Sequence, residues 1–255
     1  MSKKSNGTRD PSIREKAYLY IQERIANGTL AAGSGISELT LAKELGSSRT
    51  PIREAMNQLA AEGLLAQSPS GGMVVSQLTR EDIIELFELR EALEVYAVGR
   101  IARVPMRMAD IERLQHLVDE IKILLEELEQ SKQYALDENQ MKRFLSCDFG
   151  FHALLTSMTR NSKLQKVIGD TRLLISIFAI PRSGHDVETL KGIYAYHQRI
   201  LDAVAKQDAE AATIALTEHI HASQRERLNE YDQWKRENTF QQSMPAFFGN
   251  HNLVS

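Results

Sequence analysis

The 255-residue chain is 42% hydrophobic and 25% charged, with 14 glycines and 6 prolines, which excludes wholesale disorder and favours a mostly helical protein of one large or two modest domains. The lone Cys147 cannot close an internal disulfide and suits a reducing cytoplasm. No apolar run nears the ~20 residues of a membrane span, and the polar start lacks the apolar stretch of a signal peptide. A formal net charge of −3 argues against a nucleic acid partner only if the charge is evenly spread.

After a flexible tail over 1–11, residues 12–76 read as three helices and a β-wing. The first helix uses Ile13, Ala17, Ile21 and Ile25 as one face and stops near Gly28. Ser37 is placed to cap a short helix, Glu38–Leu45, closed by Gly46. A third helix follows Ser48, with Pro51 in its first turn, where a missing N–H does little harm. Pro69, Gly71 and Gly72 then make a turn into a brief strand, Met73–Val75. Two helices so tightly linked form a helix-turn-helix candidate, whose second helix would enter a major groove.

Ser48, Arg49, Thr50 and Arg53 cluster within two turns at that helix start. A helix N-terminus suits a phosphate, and an arginine can pair with guanine O6 and N7, worth roughly 1–3 kcal/mol of discrimination. The opposite face, Ile52, Ala55, Met56, Leu59 and Leu64, is apolar. The alternative is an ordinary capped surface helix with solvated arginines. Residues 1–76 hold nine Lys+Arg and seven Asp+Glu, net +2, which leaves −5 for the rest of the chain.

Past a linker over 77–80, helical periodicity dominates residues 81–238 and predicts an antiparallel all-α bundle. Apolar positions recur at Ile83, Ile84, Phe87, Val95 and Val98, then from Ile111 to Leu128, with Pro105 breaking between. Further helices are expected at Asp137–Met158, Ser162–Ile180, Val187–Lys206 and Asp208–Asn229. Trp234 falls on a frayed extension, and 239–255 reads as a loose tail.

Four polar residues interrupt the apolar stripes of this bundle. Asp148 and His152 share one face with Leu145 and Leu155. His197 lies in the series Ile193, His197, Ile200, Val204, and His219 lies with Leu216 and Ile220. Burying such groups costs free energy unless they are paired or metal-bound. One aspartate and three histidines from three helices could ligate a divalent transition metal, zinc or nickel foremost. The alternative is a set of satisfied core histidines. His221 should point elsewhere, and His116 and His185 have no matching partner.

The string Ile25-Ala-Asn-Gly-Thr-Leu-Ala-Ala-Gly33, then Glu38-Leu-Thr-Leu-Ala42, Ser48-Arg-Thr-Pro-Ile-Arg-Glu-Ala55 and Glu62-Gly-Leu64, resembles the winged-helix domain of GntR-family transcription regulators. The resemblance implies that Ser48, Arg49, Thr50 and Arg53 contact operator DNA and that the wing glycine, Gly72, enters a groove edge. Ala32 stands where a proline is usual, and Gly71 where a wing arginine often stands. Leu89-Arg-Glu-Ala-Leu-Glu94, Asp148-Phe-Gly-Phe-His152, His197-Gln-Arg-Ile-Leu-Asp-Ala-Val204 and Glu218-His-Ile220 are similar to the FCD effector domain of the FadR subgroup. That likeness implies a helical sensor of small molecules, often carboxylates, with metal ligands matching Asp148, His152, His197 and His219. It also implies that Arg90 faces the effector cavity, as its shared face with Phe87, Glu94 and Val98 supports. An ion pair with Glu94 is the alternative for Arg90, and Arg172 is a second candidate anion partner.

These readings point to a ligand-responsive regulator acting as a homodimer, because one recognition helix reads few base pairs and two-fold pairing matches a palindromic operator. The rival is a metal-dependent enzyme, since such ligands could activate water, although no general base is evident near them. A third reading makes the metal purely structural.

Overall fold

The computed structural model describes residues 11–26, 29–69, 71–177 and 184–243. Most of both expected tails and the helix stop at Gly28 lie outside these residues. The chain divides into two compact units, residues 1–78 with 173–178, and residues 79–172 with 179–255.

In the first unit, α1 (Ile13–Ala26) opens on a reciprocal cap. Glu15 N–H donates to Ser12 Oγ at 3.2 Å and Ser12 N–H donates to Glu15 Oε2 at 2.7 Å, satisfying two amide donors that a helix start leaves open. Ala17, Ile21 and Ile25 are buried on one face, as helical spacing requires. Ile13, expected on that face, remains exposed in the first turn.

After β1 (Gly35–Ile36), α2 (Glu38–Glu44) begins where Ser37 Oγ accepts the Thr40 N–H at 3.3 Å. It gives way to Gly46, whose φ of +57° is the left-handed conformation glycine adopts without strain. The helix α3 (Arg49–Ala61) buries Ile52, Ala55, Met56 and Leu59 and packs on α1 and α2.

Two short strands follow, β2 (Leu65–Gln67) and β3 (Met73–Val75). The sheet order is β1-β3-β2, antiparallel throughout, with Gly35 opposite Val74 and Leu65 opposite Val75. Only β3 is expected as a strand from sequence, from its run of three apolar residues; Gly-Ile in β1 and Leu-Ala-Gln in β2 carry no such run. At the wing turn Gly71 and Gly72 take φ of +88° and +87°, conformations that side-chain-bearing residues rarely adopt.

The second unit starts with a capping box, Thr79 with Asp82, on α4 (Arg80–Arg90). This helix continues through a π-helical turn, Glu91–Val95, into α5 (Tyr96–Ile101). There follow α6 (Met108–Gln130), α7 (Glu138–Ser157), α8 (Ser162–Ile177), α9 (Val187–Ala205) and α10 (Ala209–Ser243). Residues of α8 up to Arg172 belong to this unit. The helix α6 packs on α7 and α9, and α10 packs on α9, α4 and α5. Ile121, Leu124 and Leu128 of α6 meet Phe144 of α7 and Leu190 of α9 in one buried cluster.

The last helix is longer than its periodicity predicts, running on to Ser243 past both Asn229 and the expected tail boundary at 239. The apolar stripe fades there, but no glycine or proline occurs before Pro245, so a polar helix persists on intrinsic propensity. Among the described residues no helix is long and apolar enough to cross a membrane.

Candidate functional site

Three helices of the second unit converge on one point. Asp148 and His152, a turn apart on α7, meet His197 of α9 and His219 of α10, and one potential ligand atom from each lies within 4.8 Å of the others. The histidines are 1%, 0% and 3% exposed in that order, while the Asp148 side chain keeps 18% exposure. Their burial follows from the stripe they occupy, since Phe144, Phe151 and Leu155 of α7 are buried beside them. Phe151 stacks on the His197 ring with centroids 4.3 Å apart. All four residues singled out from the sequence are thus brought together.

The polar bookkeeping at this point is incomplete. His152 Nε2, His197 Nδ1 and His219 Nδ1 are buried without a hydrogen-bond partner, and His197 Nε2 has only Asp148 Oδ1, 3.4 Å away. An unsatisfied buried polar atom is costly and uncommon. Burial pulls the His152 pKa down to about 4, with Arg172 acting the same way and Glu94 opposing. Burial, then His197 and His152, holds His219 well below the ordinary imidazole range. Neutral imidazoles offer lone pairs, which is what a divalent ion requires. Burial opposes the charge on Asp148, but Arg172 and the histidines overcome it and keep the carboxyl well below its usual range.

Beside the cluster lies a second group, Arg90, Glu94 and Arg172. The Arg90 Nε–H donates to Glu94 Oε1 at 2.8 Å, and Arg172 approaches both Glu94 oxygens at 3.3 and 3.4 Å. Another Arg172 nitrogen donates to Asp148 Oδ2 at 2.6 Å. The remaining Glu94 oxygen, Oε2, sits 2.8 Å from His152 Nδ1. Arg90, Glu94 and Arg172 are 5%, 3% and 7% exposed. Burial depresses the Arg90 pKa, with Glu94 opposing. Arg90 and Phe87, Glu94 and Val98 are all buried, as their shared face requires; the ion pair with Glu94 is also real. Sequence reasoning missed Glu94's contact with His152, and the only signal for Glu94 was its four-residue spacing from Arg90.

Two further histidines lie away from the cluster and pair with glutamates. His221 meets Glu91 at 2.8 Å at the surface, and buried His185 meets Glu226 at 2.9 Å. A small pocket of about 200 Å³ reaches His219 and is bordered by Thr189, Tyr196 and Glu226.

On the first unit, Ser48, Arg49, Thr50, Arg53 and Gly72 are all exposed. Ser48 takes the N-cap position of α3, but its hydroxyl makes no capping bond, so it leaves the first α3 amides uncovered. The two arginines share one carboxylate. Arg53 Nε and Nη2 donate to Glu38 at 2.9 and 2.8 Å, and Arg49 Nη2 donates at 3.0 Å. The hydrogen bond from Arg53, ahead of that from Arg49, lowers the Glu38 pKa to about 2. Glu38 is a second residue that the sequence reading did not single out.

A winged head with exposed arginines, in one chain with a helical bundle that buries an Asp–His cluster, defines a DNA-binding regulator carrying its own sensor. The description "Bacterial regulatory proteins, gntR family" matches residues 13–75, and the FCD domain matches residues 85–222. The chain belongs to the GntR family and carries an FCD domain.

The chain is 31% identical over 206 residues to YdhC, an HTH-type transcriptional regulator of Bacillus subtilis, covering 80% of this chain and 86% of that protein. It is 27% identical over 212 residues to the gluconate operon transcriptional repressor of the same organism, covering 82% and 79%. Among solved structures, E. coli McbR/YncC superposes with a TM-score of 0.69 at 18% identity, over 87% of this chain and 99% of that one; this likeness speaks to fold alone. The chain is a transcription regulator, and the rival reading as a metal-dependent enzyme falls away because its relatives are regulators.

Proposed function

We propose that the chain acts as a cytoplasmic homodimer that binds a palindromic operator and releases it when a small carboxylate effector binds beside a divalent metal. The DNA-binding domain spans 12–76 and, past the linker 77–80, the effector domain spans 81–238. Ser48, Arg49, Thr50 and Arg53, with Gly72 of the wing, meet the DNA. Asp148, His152, His197 and His219 hold the metal, zinc or nickel foremost. Arg90, seconded by Arg172, attracts the effector.

The observation that carries this reading is the set of orphaned imidazole nitrogens within reach of Asp148. When bound, a divalent ion supplies a Lewis-acidic attachment point for a carboxylate oxygen. Charge counting supports an anionic effector. The two buried guanidiniums cancel the carboxylates of Glu94 and Asp148, so a divalent cation leaves a surplus of positive charge in a low-dielectric interior. Arg90 orients the anion, while Phe151 and the surrounding apolar residues keep water from the histidines. A relative named for a gluconate operon fits the carboxylate class. The effector can change operator affinity only through its different affinity for the two states of the dimer.

A mobility shift with the chain's own upstream region, using wild type and His152→Ala, tests the reading. A sequence-selective shift that responds to effector only in the wild type supports it, and no selective shift at any salt concentration overturns it. Unchanged metal content in Asp148→Ala and His197→Ala would remove the ligand assignment. An effector response kept by metal-free protein would leave the metal a structural part only.

A further inference from the structure

We propose that Glu94 is a positioning residue of this metal centre, fixing His152 as the Nδ1–H tautomer so that Nε2 is left as a lone-pair donor. The inference rests on the metal reading above and concerns a residue outside the ligand set.

The geometry is specific. Glu94 Oε2 lies 2.8 Å from His152 Nδ1, and both side chains are at most 3% exposed. A carboxylate can only accept, so Nδ1 must carry the proton. Nε2 is then the unprotonated nitrogen, and it is the His152 atom that is buried without a hydrogen-bond partner, 3.8 Å from Asp148 Oδ1. Without Glu94 the proton could sit on Nε2 and block ligation. Partners of this kind on the far nitrogen orient metal-bound imidazoles and raise their basicity.

Glu94 is itself held rigidly. Its other oxygen receives Arg90 Nε–H at 2.8 Å, and Arg172 approaches both oxygens while also gripping Asp148. The π-helical turn Glu91–Val95 widens the helix where this carboxylate projects inward, and such turns recur at functional sites. Two of the four ligands, Asp148 and His152, are therefore braced by one network, with Glu94 as the acceptor on which it converges.

The test needs no effector and no DNA. Histidine ring nitrogens of metal-free wild type and Glu94→Gln are read by long-range nitrogen–proton NMR, and zinc affinity is measured by chelator competition. We expect the Nδ1–H tautomer for His152 in the wild type, a mixture in Glu94→Gln, whose amide can donate as well as accept, and zinc affinity about 10–100-fold weaker in the variant. Glu94→Asp, which keeps the charge and shortens the reach, should recover part of that loss. An Nε2–H tautomer in wild type overturns the proposal, as does unchanged zinc affinity in Glu94→Gln. Loss of zinc as complete as in Asp148→Ala would make Glu94 a ligand and also overturn it. A wild type that binds no zinc overturns the metal reading and this proposal with it, whereas zinc bound equally well by wild type and Glu94→Gln overturns the proposal alone. If Glu94→Gln fails to fold, the wild-type tautomer and the Glu94→Asp affinity decide.

Discussion

Two glutamates in this chain each grip two arginines, one at the surface and one in the interior, and their surroundings give the same chemistry opposite uses. Glu38 holds Arg49 and Arg53, whose side chains are 59% and 57% exposed. Glu94 holds Arg90 and Arg172, whose side chains are 6% and 7% exposed. Water and salt screen the first cluster, so its arginines can exchange a carboxylate for a phosphate or a base edge at little cost. In the interior each charge has given up its hydration, and removing any partner strands the others. The surface cluster can come apart at little cost, whereas the buried one is costly to break.

The largest expected effect breaks the buried cluster. Arg172→Ala leaves Asp148 and Glu94 each short of a cation and should lower stability by roughly 3–5 kcal/mol, read from urea unfolding of metal-free protein. Arg53→Ala, which removes a solvent-screened partner, should leave stability close to that of the wild type. Equal losses in the two variants would erase the distinction between the clusters.

A second effect, on the order of 3 kcal/mol, comes from pH. The His152 pKa is about 4 in the folded chain against 6.5 as the ordinary value. Between those values the unfolded state binds the proton and the folded state does not. The stability of metal-free protein should therefore fall as pH drops from about 6.5 towards 4, with His219 adding a contribution of the same sign. His152→Leu should flatten this dependence, and an identical slope in variant and wild type would show that other groups cause it.

Much of this contrast was legible in the sequence, and what was missing has physical causes. Polar residues on an apolar helical stripe are visible as exceptions, which is why Asp148, His152, His197 and His219 could be named together. The tight link before Arg49 and the glycines of the wing are likewise local signals. Glu94 was legible only as a neighbour of Arg90, because its contact with His152 joins α7 to a turn that lies 58 positions earlier in the chain. The π-helical turn leaves no mark in composition. Glu38 was not legible as a partner of Arg49 and Arg53, because its grip on α3 exists only once the two helices pack. The run of α10 to Ser243 was hidden because a polar helix has no stripe to read.

On the DNA side, Arg53→Ala should weaken operator binding by about 1–3 kcal/mol if the arginine reads a base, and relax discrimination at one position. A phosphate contact instead predicts a loss shared by all sequences and a shallower salt slope. Binding titrations on operator and scrambled duplexes at several salt concentrations distinguish the two. Unaltered binding would remove α3 as the recognition helix.

The smallest effect is also the sharpest probe of the exposed cluster. Glu38→Gln keeps the shape of the side chain but removes the charge that holds Arg49 and Arg53 when DNA is absent. Stability should move by no more than about 0.5 kcal/mol, as for most surface changes. The freed positive charge should raise affinity for scrambled duplex several-fold at low salt and steepen the salt dependence by up to about one unit of slope. Operator affinity should gain less than this, because Glu38 also orients the Arg53 fork through two nitrogens and a disordered fork reads guanine less well. The ratio of specific to non-specific affinity should therefore fall. A ratio and a slope both equal to those of wild type would mean that Glu38 neither restrains nor aims the arginines, and the contrast with Glu94 would then be one of burial alone.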